Sequence, residues 1–268
     1  MPRLVLFAKG NLDVKDTLHS LTVGGEVLWN GINEIVRVRF PGTTIRVRHE
    51  TWTRSDALLA TTGVVPLTLA ERQLDLAPYP LQSQFSKALF ESDADAFILS
   101  LQPDVTTSLF RHRVEKHFFY PSNRERWAAE DNAWLRRNFV ESTALDVGQS
   151  MRNFALIIDR IRDRSASPIL IYNLSSVIPG EWVHNHEGLG EIYSTRIRRF
   201  NLALTELSQR TGVSIVDVDS VVARVGADRV KLDAVHLNAA GCRLVTEEVI
   251  KILEDVGTVA AAEAQICL

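Results

Sequence analysis

Cysteine is nearly absent from the 268 residues: Cys242 falls in a predicted helix, Cys267 lies near the chain end, and there is no third. Two cysteines so placed build no disulfide framework, and they read as free thiols of a reducing compartment. Long apolar runs are missing too. The opening MPRLVLFAKGN carries only a short one, too brief for the core of a signal peptide and far too brief for a membrane span. The expectation is a soluble, cytoplasmic protein with no membrane partner. Neither charge sign is in excess, since 30 Lys and Arg against 33 Asp and Glu leave a net charge of −3. No overall positive field therefore recruits nucleic acid or an anionic surface. Internal repeats and low-complexity linkers are also lacking, which removes solenoids and tethered modules.

What is present suits a single core. With 46% hydrophobic and 24% charged residues, residues 1–268 read as one domain. Short apolar runs of strand length begin at Leu4, Thr44, Ala96, Ile169 and Ser214, separated by connections of crossover length. Parallel strands need such crossovers, so the fold class is α/β, a three-layer α/β/α sandwich around a five-stranded parallel sheet. Helices are read where apolar residues recur at three and four. Phe154, Ile157, Ile158 and Ile161 make one face, and Tyr193, Ile197, Phe200, Leu204 and Leu207 another. Arg196, Arg198 and Arg199 fall mainly on the complementary surface of the second.

The stretch that reads as chemistry is KLDAVHLNAAGCRLVTEEV, residues 231 to 249. Asp233 and His236 are three apart, just before Asn238, a good N-cap, and a helix bearing Val245, Val249, Ile252 and Leu253. A carboxylate folded back on an imidazole fixes its tautomer and stabilises the imidazolium, as a general base requires. The competing reading of any Asp-x-x-His is two solvated loop residues. Here the pair is followed by Leu237, Gly241 and an amphipathic helix, at the end of alternating strands and helices. That pattern resembles the last block of the SGNH (GDSL-type) hydrolases, with His236 in the place of the base and Asp233 in that of its orienting acid.

The resemblance spans most of the chain in layout and is motif-specific from about residue 169 to 249. It implies a flavodoxin-like sandwich, acyl or ester chemistry on a small-molecule or acyl-bearing substrate, and a site between the first turn and the last loop. The family's first turn carries a nucleophilic serine. Here the turn reads Gly10-Asn11-Leu12-Asp13, and Asn11 or Leu12 stands in its place. Asp13 is the nearest acidic candidate for catalysis, and Gly10 and Asn11 are candidates for substrate contact. An acid so early in a helix also suits the helix dipole. In the second block Trp52 or Arg54 replaces the oxyanion glycine, and in the third Gln102 or Asp104 replaces an asparagine. Gln102 could donate through its amide, whereas an ionised Asp104 would repel an oxyanion.

Two further readings stay open. A non-catalytic, ligand-binding relative would explain the divergence of three blocks at once. A nucleic-acid or nucleotide-dependent transferase would use the arginines, histidines and aromatic rings of 110–137, which equally suit a lid or specificity insertion at about 105–150. His184 and His186 could ligate a metal, but no third ligand accompanies them. Neither a metal nor a cofactor is expected.

Overall fold

A computed structural model describes residues 3–51, 54–177 and 192–259. Its centre is a five-stranded parallel sheet of β1 (Arg3–Lys9), β2 (Thr44–Glu50), β3 (Ala96–Ser100), β4 (Ile169–Tyr172) and β5 (Ser214–Val216), in the spatial order β2-β1-β3-β4-β5. Side chains alternate across each strand. Leu4, Leu6 and Ala8 of β1 join Ala96, Ile98, Leu170 and Tyr172 on one face, while Phe7, Phe97, Leu99, Ile169 and Ile171 make the other. Burial on both faces is why these strands read as continuous apolar runs.

Helices α1 (Leu12–Leu18), α2 (Asn33–Arg39) and α6 (Ala239–Asp255) cover the first face. Helices α3 (Ser55–Ala60), α4 (Val147–Arg162) and α5 (Tyr193–Thr211) cover the second. The five periodic residues of α5, Tyr193 to Leu207, are all buried, each contributing roughly 1.5–3 kcal/mol of transfer free energy. One arginine departs from the helical pattern. Arg196 turns inward and donates to the carbonyls of Val105, Asp104 and Leu145, because the segments before α4 leave main-chain acceptors there that need a donor. Arg198 and Arg199 are exposed.

A third apolar cluster stands apart from the sheet. Phe110, Phe119, Trp127, Trp134 and Phe139 come from the region expected to be an insertion, and they pack with Leu69, Leu76 and Phe85. Within it Phe110–His112 pairs antiparallel with Phe118–Phe119 and Phe139–Glu141. The rings thus turn inward, with Arg72 over Trp134 and Arg124 over Phe110 as cation–π partners. No helix among the described residues is long and apolar enough to cross a membrane.

The chain leaves β1 to one side for β2 and returns on the other for β3. That reversal opens a crevice at the carboxyl ends of β1 and β3, where open α/β sheets receive ligands.

Candidate active site

The last loop is built as a clamp. Lys231 bridges to Leu237, the N–H of Leu232 donates to the carbonyl of His236 (2.9 Å), and that of Asn238 to Val230 (2.9 Å). Asn238 caps α6 by accepting from the N–H of Gly241 (3.0 Å). Glycine is required at 241 because a Cβ there would lie 2.5 Å from the carbonyl oxygen of Val230. The clamp brings Asp233 and His236 together. Nδ1 of His236 and Oδ2 of Asp233 are 2.7 Å apart, and Oδ1 accepts from the N–H groups of Val235 and His236, both at 2.8 Å. Burial would raise the Asp233 carboxyl, but those two N–H groups and the imidazole outweigh it and hold the group below the usual carboxylate range. The imidazole is 35% exposed, so the ring is reached from solvent.

The first turn is the opposite wall. Gly10 ends β1 with its N–H on Glu50 (3.2 Å) and its carbonyl accepting from Nε2 of His49 (2.9 Å). Burial pushes His49 down to about 4, so this ring serves as a neutral donor. A Cβ on Gly10 would meet Cγ2 of Val14 at 2.6 Å. Asn11 is buried, and its Oδ1 has no hydrogen-bond partner. The side chain of Asp13 is held by the hydroxyl of Ser100, 2.5 Å from Oδ2, while Oδ1 is enclosed without a partner. Burial pushes this carboxyl up, against the hydroxyl of Ser100 and the N–H groups of Val14 and Asn11.

Between the walls lies a narrow cavity of about 30 Å³. It is lined by Asp13 and Gln102, by Tyr172 and Ser175, and by Lys231, Ala234, Val235 and Leu237 of the last loop. The Oε1 of Gln102 is likewise enclosed and unpartnered. First turn, third block and last loop therefore share one space. The imidazole itself is not among the lining groups. It lies near Asp16 on α1, whose carboxyl is raised by burial against the pull of Lys15 and His236.

Arg54 and Asp104, expected at the substrate, are engaged inside the protein. Arg54 forks onto Asp56 (3.0 and 2.5 Å) and donates to the carbonyl of Thr143 (3.0 Å). Asp104 accepts from the N–H and hydroxyl of Ser55 (2.7 and 2.5 Å) and the hydroxyl of Ser150 (2.6 Å), tying α3 to α4. Burial pushes it up to about 6. Trp52, His184, His186 and Cys267 lie outside the described residues.

Sequence reading missed Ser100 and Lys231. A small polar residue closing a buried apolar strand was the available signal for Ser100. Lys231 gave none, because it is buried by donating to the carbonyls of Val177 (2.8 Å) and Ala234 (2.9 Å). Burial lowers its ammonium to about 8. One described cluster, His112, Glu115 and His117, brings possible metal ligands within 4.8 Å of one another. Nδ1 of His112 already accepts from the N–H of Glu115 (2.9 Å), which places the proton of a neutral ring on Nε2 and removes that lone pair from ligation.

No family model matches the sequence, and no curated protein matches it. Solved structures do. An acetylxylan esterase from Geobacillus stearothermophilus aligns over 92% of this chain and 93% of its own, at 10% identity and a TM-score of 0.51. The fold is one shared with esterases. A second acetyl xylan esterase aligns over 93% of this chain and 100% of its own (10% identity, TM-score 0.51). An alpha/beta hydrolase enzyme from the metagenome of Lake Arreo, Spain, aligns over 96% of both chains (13% identity, TM-score 0.52). The five-stranded parallel sandwich expected of an SGNH-type chain is the fold found.

Proposed function

We propose that this chain is an enzyme of acyl or ester chemistry, hydrolysis or acyl transfer, with His236 as general base and Asp233 as its orienting acid. The observation that carries the reading is the 2.7 Å contact between Nδ1 of His236 and Oδ2 of Asp233, on a carboxylate whose other oxygen is fixed by two main-chain N–H groups. With its proton on Nδ1, the ring presents a basic Nε2. That nitrogen takes a proton from a water or a bound hydroxyl or amine as it attacks the acyl carbon. Asp233 stabilises the imidazolium, which returns the proton to the leaving group.

With Asn11 or Leu12 where the family has serine, no acyl-enzyme forms at that position. The reaction is then a single displacement, and holding two reactants side by side supplies much of the rate. Acetyl esters are the first substrates to test, because two esterases sharing the fold are named for them. Turnover of nitrophenyl acetate by wild type and His236→Ala decides the assignment, and equal rates reject His236 as the base. A non-catalytic relative that keeps only the fold and cavity is the second reading, favoured by the internal engagement of Arg54 and Asp104. Covalent change of any small molecule on incubation with the protein would exclude it.

A further inference from the structure

The wall opposite the last loop is rich in acceptors. Oδ1 of Asn11, Oδ1 of Asp13 and Oε1 of Gln102 are all enclosed and without hydrogen-bond partners, and the last two line the cavity. Acyl chemistry needs the reverse, since negative charge grows on the carbonyl oxygen and must meet donors. The N–H of Gly10 is committed to the carbonyl of Glu50. Of the three acceptors, Asp13 alone can become a donor by taking up a proton. A half-turn of the Gln102 amide would place Nε2 beside it.

We propose that Asp13 is the cavity's hydrogen-bond donor: a neutral carboxylic acid, its Oδ2 held by Ser100 and its Oδ1–H offered to the carbonyl oxygen of a bound ester or acyl group. The proposal rests on the acyl-chemistry reading above and assigns to the first turn the donor part that the missing glycine of the second block and the missing asparagine of the third leave vacant.

Enclosure is the physical cause. An ionised carboxylate removed from water costs several kcal/mol unless a cation or several donors compensate it, and a group without them neutralises instead. The hydroxyl of Ser100 makes a hydrogen bond to Asp13, and the N–H groups of Val14 and Asn11 act in the same direction, yet burial outweighs all three. The ionisable groups around it are Asp16 on its own helix, Tyr172 of β4, Tyr193 of α5 and Tyr79. None is a cation. Lys231 faces the same cavity, but two of its protons go to Val177 and Ala234. The cavity that Asp13 helps to line, about 30 Å³, admits one or two water-sized groups, enough for a carbonyl oxygen.

Two measurements test this on the full chain. Infrared difference spectra between wild type and Asp13→Asn at neutral pH should contain a carboxylic-acid C=O stretch lost in the variant; a carboxylate signal in its place overturns the proposal whatever the activity. On nitrophenyl acetate, Asp13→Asn should stay within about tenfold of wild type because an amide still donates, while Asp13→Ala should lose about 10²–10³-fold. An Asn variant as slow as the Ala variant would mean that the carboxylate itself reacts, and would also overturn it. Unchanged turnover in His236→Ala would instead remove the functional reading, leaving the infrared result to decide the state of Asp13.

Discussion

The first turn and the last loop each bring an aspartate to the same edge of the sheet, and the two live in opposite surroundings. Asp233 is half exposed and takes hydrogen bonds from two main-chain N–H groups and an imidazole, so it is stabilised as an anion. Asp13 is enclosed, with a single hydroxyl on one oxygen and nothing on the other, so its charged form is penalised. On the proposed reaction, environments that push two titratable groups apart suit one to support the base and the other to act as an acid. Asp104 supplies the control. It is as buried as Asp13 but has three donors, all of them spent on joining helices.

The largest effect should come from the last loop. His236→Ala removes the group that moves the proton and should lower turnover of an acetyl ester by about 10²–10⁴-fold, measured at steady state. The first turn should instead answer in stability. Gly10→Ala forces a Cβ to 2.6 Å from Val14 and 3.1 Å from Ser100, overpacking that should cost about 1–3 kcal/mol in urea unfolding. If Gly10→Ala is neutral, the first turn is looser than its contacts imply and the enclosure of Asp13 goes with it.

Much of this contrast was legible beforehand, and the reason is locality. Strands from Ala96 and Ile169 announce themselves because each is an unbroken apolar run bounded by turn residues, and Asp233 with His236 because three residues separate them. The fates of Arg54, Asp104 and Arg196 were not legible. Their types suggest surface or substrate, yet the structure buries them through partners 89, 46 and 91 residues away, Thr143, Ser150 and Val105. Nothing near them in sequence encodes those meetings. The enclosure of Asp13 is of the same kind, created by Ser100 at the end of another strand.

A smaller effect tests the clamp that presents His236. Asn238→Ala removes the cap on the N–H of Gly241 and the donation from Nδ2 to the carbonyl of Arg229 (2.7 Å). A lost N-cap costs about 1 kcal/mol, readable as a lowered Tm. Turnover should fall as well if the cap fixes the loop. A stability loss with unchanged turnover would show that the Lys231 and Leu232 contacts hold the loop by themselves.

The smallest effect separates the two aspartates most directly. Asp233 is held below its ordinary value of 3.8, so the unfolded chain binds its proton more readily. Its contribution to stability is fully present above 3.8 and is lost as pH falls through the lower folded value. Because the side chain is more than half exposed, the contribution should stay under about 1 kcal/mol. Asp13 is shifted the other way. Its folded form keeps the proton, so wild type should lose stability relative to Asp13→Asn as pH rises from 3.8 towards the raised folded value. Urea unfolding of wild type, Asp233→Asn and Asp13→Asn from below 3.8 up to the raised folded value of Asp13 should give difference curves of opposite slope, the Asp233 contribution rising with pH below 3.8 and that of Asp13 falling above it. Parallel slopes would mean that the two carboxyls share one environment, and the division of labour between turn and loop would fail.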